Sequence, residues 1–157
     1  MKKNKKSSPN NQPIVNRRAR FDYELKNELT VGMVLSGQEV RAARDGHIQL
    51  KGAFVTIKDN ELWLNNASFS IRHDQKGESS ARTIDTKPRK LLASRKQIDN
   101  LKSQKHEGLT IVPVRLLNTG HYIKLVISLG KGKKLYDKRE VKKRRDEERE
   151  IGRAMKR

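Results

Sequence analysis

The chain contains no cysteine, and only 4% of its residues are aromatic. Without cysteine it forms neither disulfides nor thiolate metal sites. So few aromatic side chains argue against the repeated base-stacking platforms of single-strand-binding proteins. No apolar run approaches the ~18 residues that span a bilayer, and the N-terminus lacks the apolar segment of a secretory signal. These absences predict a cytoplasmic protein that has no contact with a membrane.

Catalytic motifs are missing as well. None of the four histidines lies three or four residues from another. The chain has no H-E-x-x-H, P-loop or G-x-S-x-G motif, and Gly130-Lys131-Gly132 lacks the spacing of a Walker loop. We therefore predict a protein that is not an enzyme and holds no metal or other cofactor.

Positive charge is what the chain has in excess, with a formal net charge of +19 at pH 7. Residues 1–20 and 131–157 each carry +7, whereas residues 21–130 carry only +5. Basic ends around a nearly neutral centre are typical of proteins that bind a phosphate-rich partner.

The distribution of apolar residues divides the chain into three regions. Residues 1–13 predict a disordered basic arm, and residues 14–130 predict one domain. Residues 131–157 contain 13 Lys/Arg and 6 Asp/Glu, which leaves too little apolar surface to offset the entropy of ordering. Opposite charges spaced i,i+4 give this region a marginal helical tendency. We therefore expect a flexible basic tail that becomes helical on binding.

The dominant hydrophobic period in the domain is two, which is typical of strands. Asp59-Asn60 suits a two-residue hairpin turn, and Asn118-Thr119-Gly120 predicts a second hairpin. Pro113 removes a ladder donor, so its strand is expected to lie at an edge or to carry a bulge. The predicted strands are 28–35, 54–58, 61–65, 67–71, 109–117 and 121–129.

Two short helices and one long loop complete the prediction. One helix covers 39–44, with Arg41 and Arg44 on one face. The other begins at the capping box formed by Ser94 and Gln97 and ends near Gly108. Residues 72–87 are polar and predict a flexible loop. The fold class is mainly β with short helices, an OB-like antiparallel β-barrel.

Three basic clusters indicate contact with RNA backbone. The first is 16–20, where arginine suits bidentate phosphate contacts; the second is 87–90, and the third is Lys131, Lys133 and Lys134. Tyr136 lies in a segment with no core to join, so its ring is free to stack on an exposed base. These features fit a structured RNA, but they leave open a ribosomal protein, a general OB-type RNA binder or an RNA-processing enzyme.

Four motifs make the chain resemble the SmpB family, the SsrA-binding proteins of bacterial trans-translation. They are NRRARFDY at 16–23, GQEVRAARDG at 37–46, RKLL at 89–92 and GKGKKLYDKRE at 130–140. The resemblance implies an OB-like barrel that binds the tRNA-like domain of tmRNA (SsrA RNA). It also implies delivery to stalled ribosomes, with elongation factor Tu engaged indirectly through charged tmRNA. The tail would then contact small-subunit rRNA at the decoding centre and in the empty mRNA channel, and the protein is expected to be a monomer.

The clusters and the resemblance together define the candidate residues. Those predicted to bind RNA are Asn16, Arg17, Arg18, Arg20, Gly37, Glu39, Arg41, Arg89, Lys90, Leu92, Lys124, Lys131, Lys133 and Lys134. Those predicted to meet the ribosome are Tyr136, Asp137, Lys138, Arg139, Ala154 and Met155. Two positions depart from the family. Thr30 stands where some members carry an acid, and Tyr136 keeps an aromatic face without the charge of a protonated histidine.

Overall fold

The computed structural model describes residues 12–72, 82–106, 108–118 and 120–155. Most of the predicted arm and the middle of the predicted 72–87 loop lie outside these residues. The described elements are, in order, β1 (Ile14–Val15), α1 (Arg17–Asp22), β2 (Tyr23–Met33), α2 (Gly37–Arg44), β3 (Ile48–Gln49), β4 (Phe54–Lys58), β5 (Glu61–Asn65), β6 (Ser68–Arg72), β7 (Arg82–Asp85), β8 (Arg89–Leu92), α3 (Arg95–Gln104), β9 (Leu109–Leu117), β10 (Lys124–Gly132) and α4 (Leu135–Ala154).

Six strands close into an antiparallel barrel in the order β9-β10-β2-β8-β5-β4, and pairing of β4 with β9 completes the ring. The predicted barrel is therefore confirmed. Both predicted hairpins form. At the first turn, Asp59 and Asn60 adopt the positive φ angles that a two-residue hairpin turn requires. The interior is filled by alternate strand residues such as Leu62, Leu64 and Ile127, each fully buried.

β10 has the predicted length of nine residues, but it lies three residues further along the chain than predicted and is central in the sheet. It pairs with β2 on one side and with β9 on the other, and it continues through Lys131 to Gly132. Val126 and Ser128, on the face of β10 opposite to Leu125 and Ile127, are buried as well. α1 packs on β2 and β9, the two strands that flank β10.

The predicted edge or bulge at Pro113 is a bulge. The register shifts between Val126, which faces Arg115, and Ile127, which faces Pro113. Val114 is therefore the extra residue, and its carbonyl accepts a hydrogen bond from the Asn16 backbone at 2.8 Å. The bulge thus provides the attachment point for the segment that begins α1.

The helices follow their capping signals. Ser94 and Gln97 form the predicted capping box of α3, which ends at Gln104, before Gly108. α2 begins two residues earlier than predicted, at Gly37, because Ser36 caps it through a box with Glu39. α1 was not predicted, since its six residues are too few to show a helical period.

A second sheet replaces part of the predicted 72–87 loop. It has three strands in the order β3-β6-β7, and β7 pairs with β6 from Phe69↔Asp85 to Arg72↔Arg82. The prediction of a loop is wrong for residues 82–85. Charged residues at both ends of this four-residue strand hide the β-branched pair Thr83 and Ile84 that marks it.

A buried ion pair joins α2 to the barrel. Arg89 Nε donates to Glu39 Oε1 at 2.8 Å, and both side chains are at most 4% exposed. The guanidinium also lies 3.7 Å from the centre of the Phe69 ring and donates to the Lys87 carbonyl at 2.8 Å. Arg89 and Glu39 were predicted to bind RNA. The fold encloses both side chains and pairs their charges internally, and their role in RNA binding stays a prediction.

We predict that Glu39→Gln strongly destabilises the fold, because it removes the carboxylate that Arg89 binds at 2.8 Å and leaves the buried charge only Asp85, at 3.5 Å. Breaking a buried pair in this way typically costs about 3–5 kcal/mol in the free energy of unfolding. Urea unfolding measures the loss. Asp99→Asn is the matched control, since the Arg95–Asp99 pair is exposed and such pairs contribute about 0–1 kcal/mol. Equal losses in the two variants would contradict this role of Glu39.

Candidate RNA interface

Asn16 is a structural pin rather than an exposed ligand. Its Oδ1 accepts from the Ala19 backbone at 3.2 Å and thereby caps α1. Its Nδ2 donates to the carbonyls of Leu50 and Pro113, each at 2.9 Å. The side chain is buried, and its amide is occupied by the barrel. Asn16 therefore fixes the position of α1 on the barrel, and its role in RNA binding stays a prediction.

The arginines of α1 are presented on the surface. Arg17, Arg18 and Arg20 are all exposed, whereas Ala19 is buried against the barrel. Arg18 also lies 5.6 Å from the centre of the Phe21 ring. The predicted cluster of three guanidiniums is therefore brought together on one short helix.

The junction between barrel and tail is organised around Asp22. Its carbonyl accepts from the Lys133 backbone at 2.9 Å, and Lys138 Nζ lies 2.9 Å from its Oδ1. Arg18 binds the other carboxylate oxygen at 3.0 Å. The hydrogen bond from Lys138 chiefly holds the pKa of the Asp22 carboxyl below its ordinary value of 3.8; the charges of Lys138 and Arg18 add to this, and partial burial opposes it.

A cationic groove separates α1 from α4. It has a volume of about 440 Å³. Its lining residues are Arg17, Arg18, Phe21, Val141, Lys142, Arg145, Asp146 and Arg149. Five of these side chains are cationic and one is anionic, around a partly apolar floor. The groove can therefore take an RNA backbone, whose phosphates the guanidiniums bind.

The groove includes residues that sequence reasoning missed. Lys142, Arg145 and Arg149 are spaced three and four residues apart, so they share one face of a helix. That spacing was visible in the sequence. What was not visible is that this face lies against α1, because no local pattern shows the direction in which a tail leaves a barrel.

A second surface lies on the outside of the barrel. Lys124 on β10 pairs with Gly32 on β2, and Gly32 pairs with Leu92 on β8. Leu92 is 53% exposed, and a Cβ at position 32 would lie only 3.3 Å from its Cβ. Thr30 on β2 is also exposed. The predicted residues Lys124 and Leu92 are thus brought together, and a glycine allows their close approach.

The other predicted residues of the barrel are divided between its surface and its interior contacts. Gly37 and Arg41 are exposed on α2, and no atom lies within 4 Å of where a Cβ of Gly37 would stand. Lys90 is partly buried and hydrogen-bonds Glu61. Lys131 was assigned to the tail but belongs to β10, where it pairs with Glu24 and Leu109.

Two of the predicted ribosome-facing residues serve the junction. The Asp137 carboxylate accepts from the Lys134 backbone at 3.1 Å and so caps α4, while Lys138 binds Asp22. Tyr136 is 60% exposed and Arg139 is exposed. Ala154 and Met155 lie exposed at the far end of α4. Tyr136 and Arg139 are therefore the members of this element that face outward.

The tail is helical for most of its length. α4 has 20 residues, and none of them, all within the described part of the chain, is buried. Pairs such as Arg144–Glu148, at 3.7 Å, contribute about 0.2–0.5 kcal/mol each. The predicted helical tendency is confirmed. The change from coil to helix on binding stays a prediction.

Two kinds of site are absent from the residues that the structure describes. No group of three or more metal-ligating side chains converges there. None of the helices found in the described segments has the length and apolarity to cross a bilayer. The geometry instead consists of exposed cations on a closed barrel, its first helix and its tail helix, which defines a basic barrel protein of the RNA-binding class.

Comparison with known proteins gives the family. The SmpB protein family matches residues 13–157. An SsrA-binding protein from Gloeothece citriformis is 42% identical over 146 residues, 90% of this chain and 91% of that protein. Another, from Prochlorococcus marinus strain NATL1A, is 39% identical over 167 residues, 99% of this chain and 98% of that protein. A solved structure described as "tmRNA-SmpB: a journey to the center of the bacterial ribosome" is 32% identical with a TM-score of 0.60, covering 82% of this chain and 87% of its own. The chain belongs to the SmpB family.

We predict that Asp22→Asn loosens α4 from the barrel, because it removes the charge that Lys138 and Arg18 bind. Since the chain has no cysteine, Lys58→Cys and Arg153→Cys provide unique sites for fluorescent labels. The distance distribution between the labels should broaden in Asp22→Asn. In the parent, the distance distribution should broaden only as the pH falls through the folded-state pKa of Asp22. Because folding lowers this pKa from 3.8, the carboxylate stabilises the folded state above pH 3.8, and that stabilisation is lost as the pH falls through the lowered pKa.

A double-mutant cycle isolates this contact. Lys138→Gln should broaden the distribution as Asp22→Asn does, and the double variant should be no worse than either single variant. Glu147→Gln, which removes an exposed pair within α4, is the control and should leave the distances unchanged. Additive effects at positions 22 and 138 would show that the pair does not orient the tail.

Proposed function

We propose that this chain binds SsrA RNA (tmRNA), through its tRNA-like domain, and delivers it to stalled ribosomes for trans-translation. The observation that carries this proposal is the full-length relationship to SsrA-binding proteins. It is supported by the exposed α1 arginines and by the row formed by Lys124, Gly32 and Leu92. In this role the protein is a monomeric adaptor that catalyses no reaction and needs no cofactor.

The division of charge supports two separate RNA contacts. The barrel offers its outer strands, α1 and α2 to tmRNA. The exposed face of α4 is offered to small-subunit rRNA near the decoding centre and in the empty mRNA channel. Elongation factor Tu is engaged only through charged tmRNA. The groove between α1 and α4 lies where the two RNA partners would meet.

The tail is proposed to signal once the ribosome is reached. Tyr136 and Arg139 are exposed near the start of α4, so a ring and a guanidinium are available to a base and a phosphate. α4 buries none of its own residues. An rRNA surface would supply the stabilisation that the isolated helix lacks.

The first test separates binding to tmRNA from activity on the ribosome. Truncation after Lys134 keeps all of β10 and the Lys133–Asp22 hydrogen bond. It should leave affinity for the tRNA-like domain within about twofold, a change of under about 0.4 kcal/mol, and abolish tagging of stalled chains. Filter binding and a reconstituted tagging reaction measure the two. If the truncated chain fails to bind tmRNA, the main RNA site lies in the tail and the division proposed here is wrong.

Selectivity is the control for that experiment. Excess tRNA or rRNA fragments should not displace tmRNA from the full chain. Equal competition would make the protein a general binder of structured RNA, and specific cleavage or modification of the RNA would make it a processing enzyme.

A second test concerns Tyr136. Tyr136→Ala should reduce tagging while leaving affinity for free tmRNA unchanged, because the exposed ring is proposed to stack only at the ribosome. Loss of one such stack is worth about 1–3 kcal/mol. Tyr136→Phe keeps the aromatic face and should retain most of the activity. An equal loss of tmRNA affinity in Tyr136→Ala would contradict this placement of the ring.

A further inference from the structure

A small cationic cavity lies between α2 and the three-stranded sheet. It has a volume of about 210 Å³. Among the described residues, its lining includes three arginines, Arg41, Arg72 and Arg82, and one carboxylate, Asp45. None of these residues belongs to the α1–α4 groove, and only Arg41 was predicted to bind RNA.

The sheet itself places two of the arginines against each other. Arg72 on β6 and Arg82 on β7 are direct cross-strand partners, and both side chains line the cavity. Like charges directly opposite each other on a sheet are destabilising. Arg41 adds a third guanidinium from α2, on the opposite wall. Three guanidinium groups from three elements therefore converge on one cavity.

The hydrogen bond of Arg82 shows what else the cavity offers. Arg82 Nη1 lies 3.2 Å from His47 Nδ1. Because a guanidinium has only donors, Nδ1 is the acceptor of this hydrogen bond. His47 therefore holds Arg82 toward the cavity. Ser70, which also lines it, adds a hydroxyl that can donate.

Protection of a sheet edge does not explain the arrangement. β7 is the edge of its sheet, and charged side chains commonly keep such edges from pairing with other chains. That role would account for Arg82 alone. It would not account for a second arginine directly opposite, or for a third that faces both from a helix.

From these observations we propose that the cavity is a binding site for one RNA backbone phosphate. The proposal rests on the function proposed above and adds a contact to it. Arginine binds phosphate oxygens bidentately, and three guanidiniums against one carboxylate favour an anion. A volume below the ~300 Å³ of small-molecule pockets admits a phosphate group but not a whole nucleotide. Because α2 belongs to the surface proposed above for tmRNA, the phosphate is assigned to tmRNA rather than to rRNA.

The test compares Arg82→Gln with Arg95→Gln in the full chain. Arg95 is an exposed arginine on α3 that pairs with Asp99, so both variants lose one positive charge. Affinity for the isolated tRNA-like domain should fall about ten- to a hundredfold in Arg82→Gln, as is usual when a charged hydrogen bond is lost. Its salt dependence should weaken by about one unit of slope. Arg95→Gln should change affinity by less than about twofold.

Thermal unfolding tests whether Arg82→Gln lowers RNA affinity merely by destabilising the fold. Arg82→Gln removes a like-charge pair, so its Tm without RNA should equal or exceed that of the parent. Sodium phosphate should raise the Tm of the parent more than sodium chloride at equal ionic strength. The double variant Arg72→Gln/Arg82→Gln should lose that difference, and this readout needs no RNA.

Each outcome decides a different point. If Arg82→Gln and Arg95→Gln bind the tRNA-like domain equally, or if phosphate stabilises the double variant as it does the parent, the site is refuted. If Arg82→Gln lowers tagging but not tmRNA affinity, the assignment to tmRNA is wrong. If the parent itself shows no preference for tmRNA over tRNA, the proposed function fails, while the phosphate effect on Tm still tests the cavity.

Discussion

The arrangement of the surface depends on the buried ion pair between Glu39 and Arg89. This pair fixes α2 to the first residue of β8, and the guanidinium lies against Phe69 of β6. Asp85 of β7 joins the same network through Lys87, whose backbone hydrogen bond chiefly keeps the Asp85 pKa below its ordinary value. The second sheet and α2 are thus held against the barrel by charge rather than by apolar packing alone. The cavity described above lies between these two elements.

Arginine side chains serve two purposes in this chain, and the degree of burial distinguishes the two groups. Arg89 is enclosed and satisfied, whereas Arg17, Arg18 and Arg20 stand exposed on a helix pinned by Asn16. Exposed cations exchange their counterions for phosphates and make binding sensitive to salt, while an enclosed cation is largely unscreened. Salt should therefore weaken RNA binding long before it weakens the fold.

Sequence reasoning recovered what local patterns encode. The period of two gave both hairpins, Ser94 and Gln97 gave the start of α3, and Pro113 gave the bulge. Non-local facts were beyond it. Arg89 reads as part of a basic run, yet its partner Glu39 lies 50 residues away. Lys131 was predicted to belong to the tail, yet it lies in β10 and pairs with residues of β2 and β9. In a chain this basic, composition shows that cationic side chains are abundant but not which of them form ion pairs within the fold.

Asp22 shows why that distinction matters for function. One aspartate ends α1, receives the backbone of Lys133 and binds Lys138 of α4, so it couples the barrel to the tail at a single point. Lys138, which the motif at 130–140 groups with its neighbours as one recognition element, is therefore engaged before any RNA arrives. Its neighbour Arg139 is exposed. Asp22 therefore orients α4 relative to the barrel in the absence of RNA, and the remaining exposed side chains are those that RNA can engage without first breaking the junction.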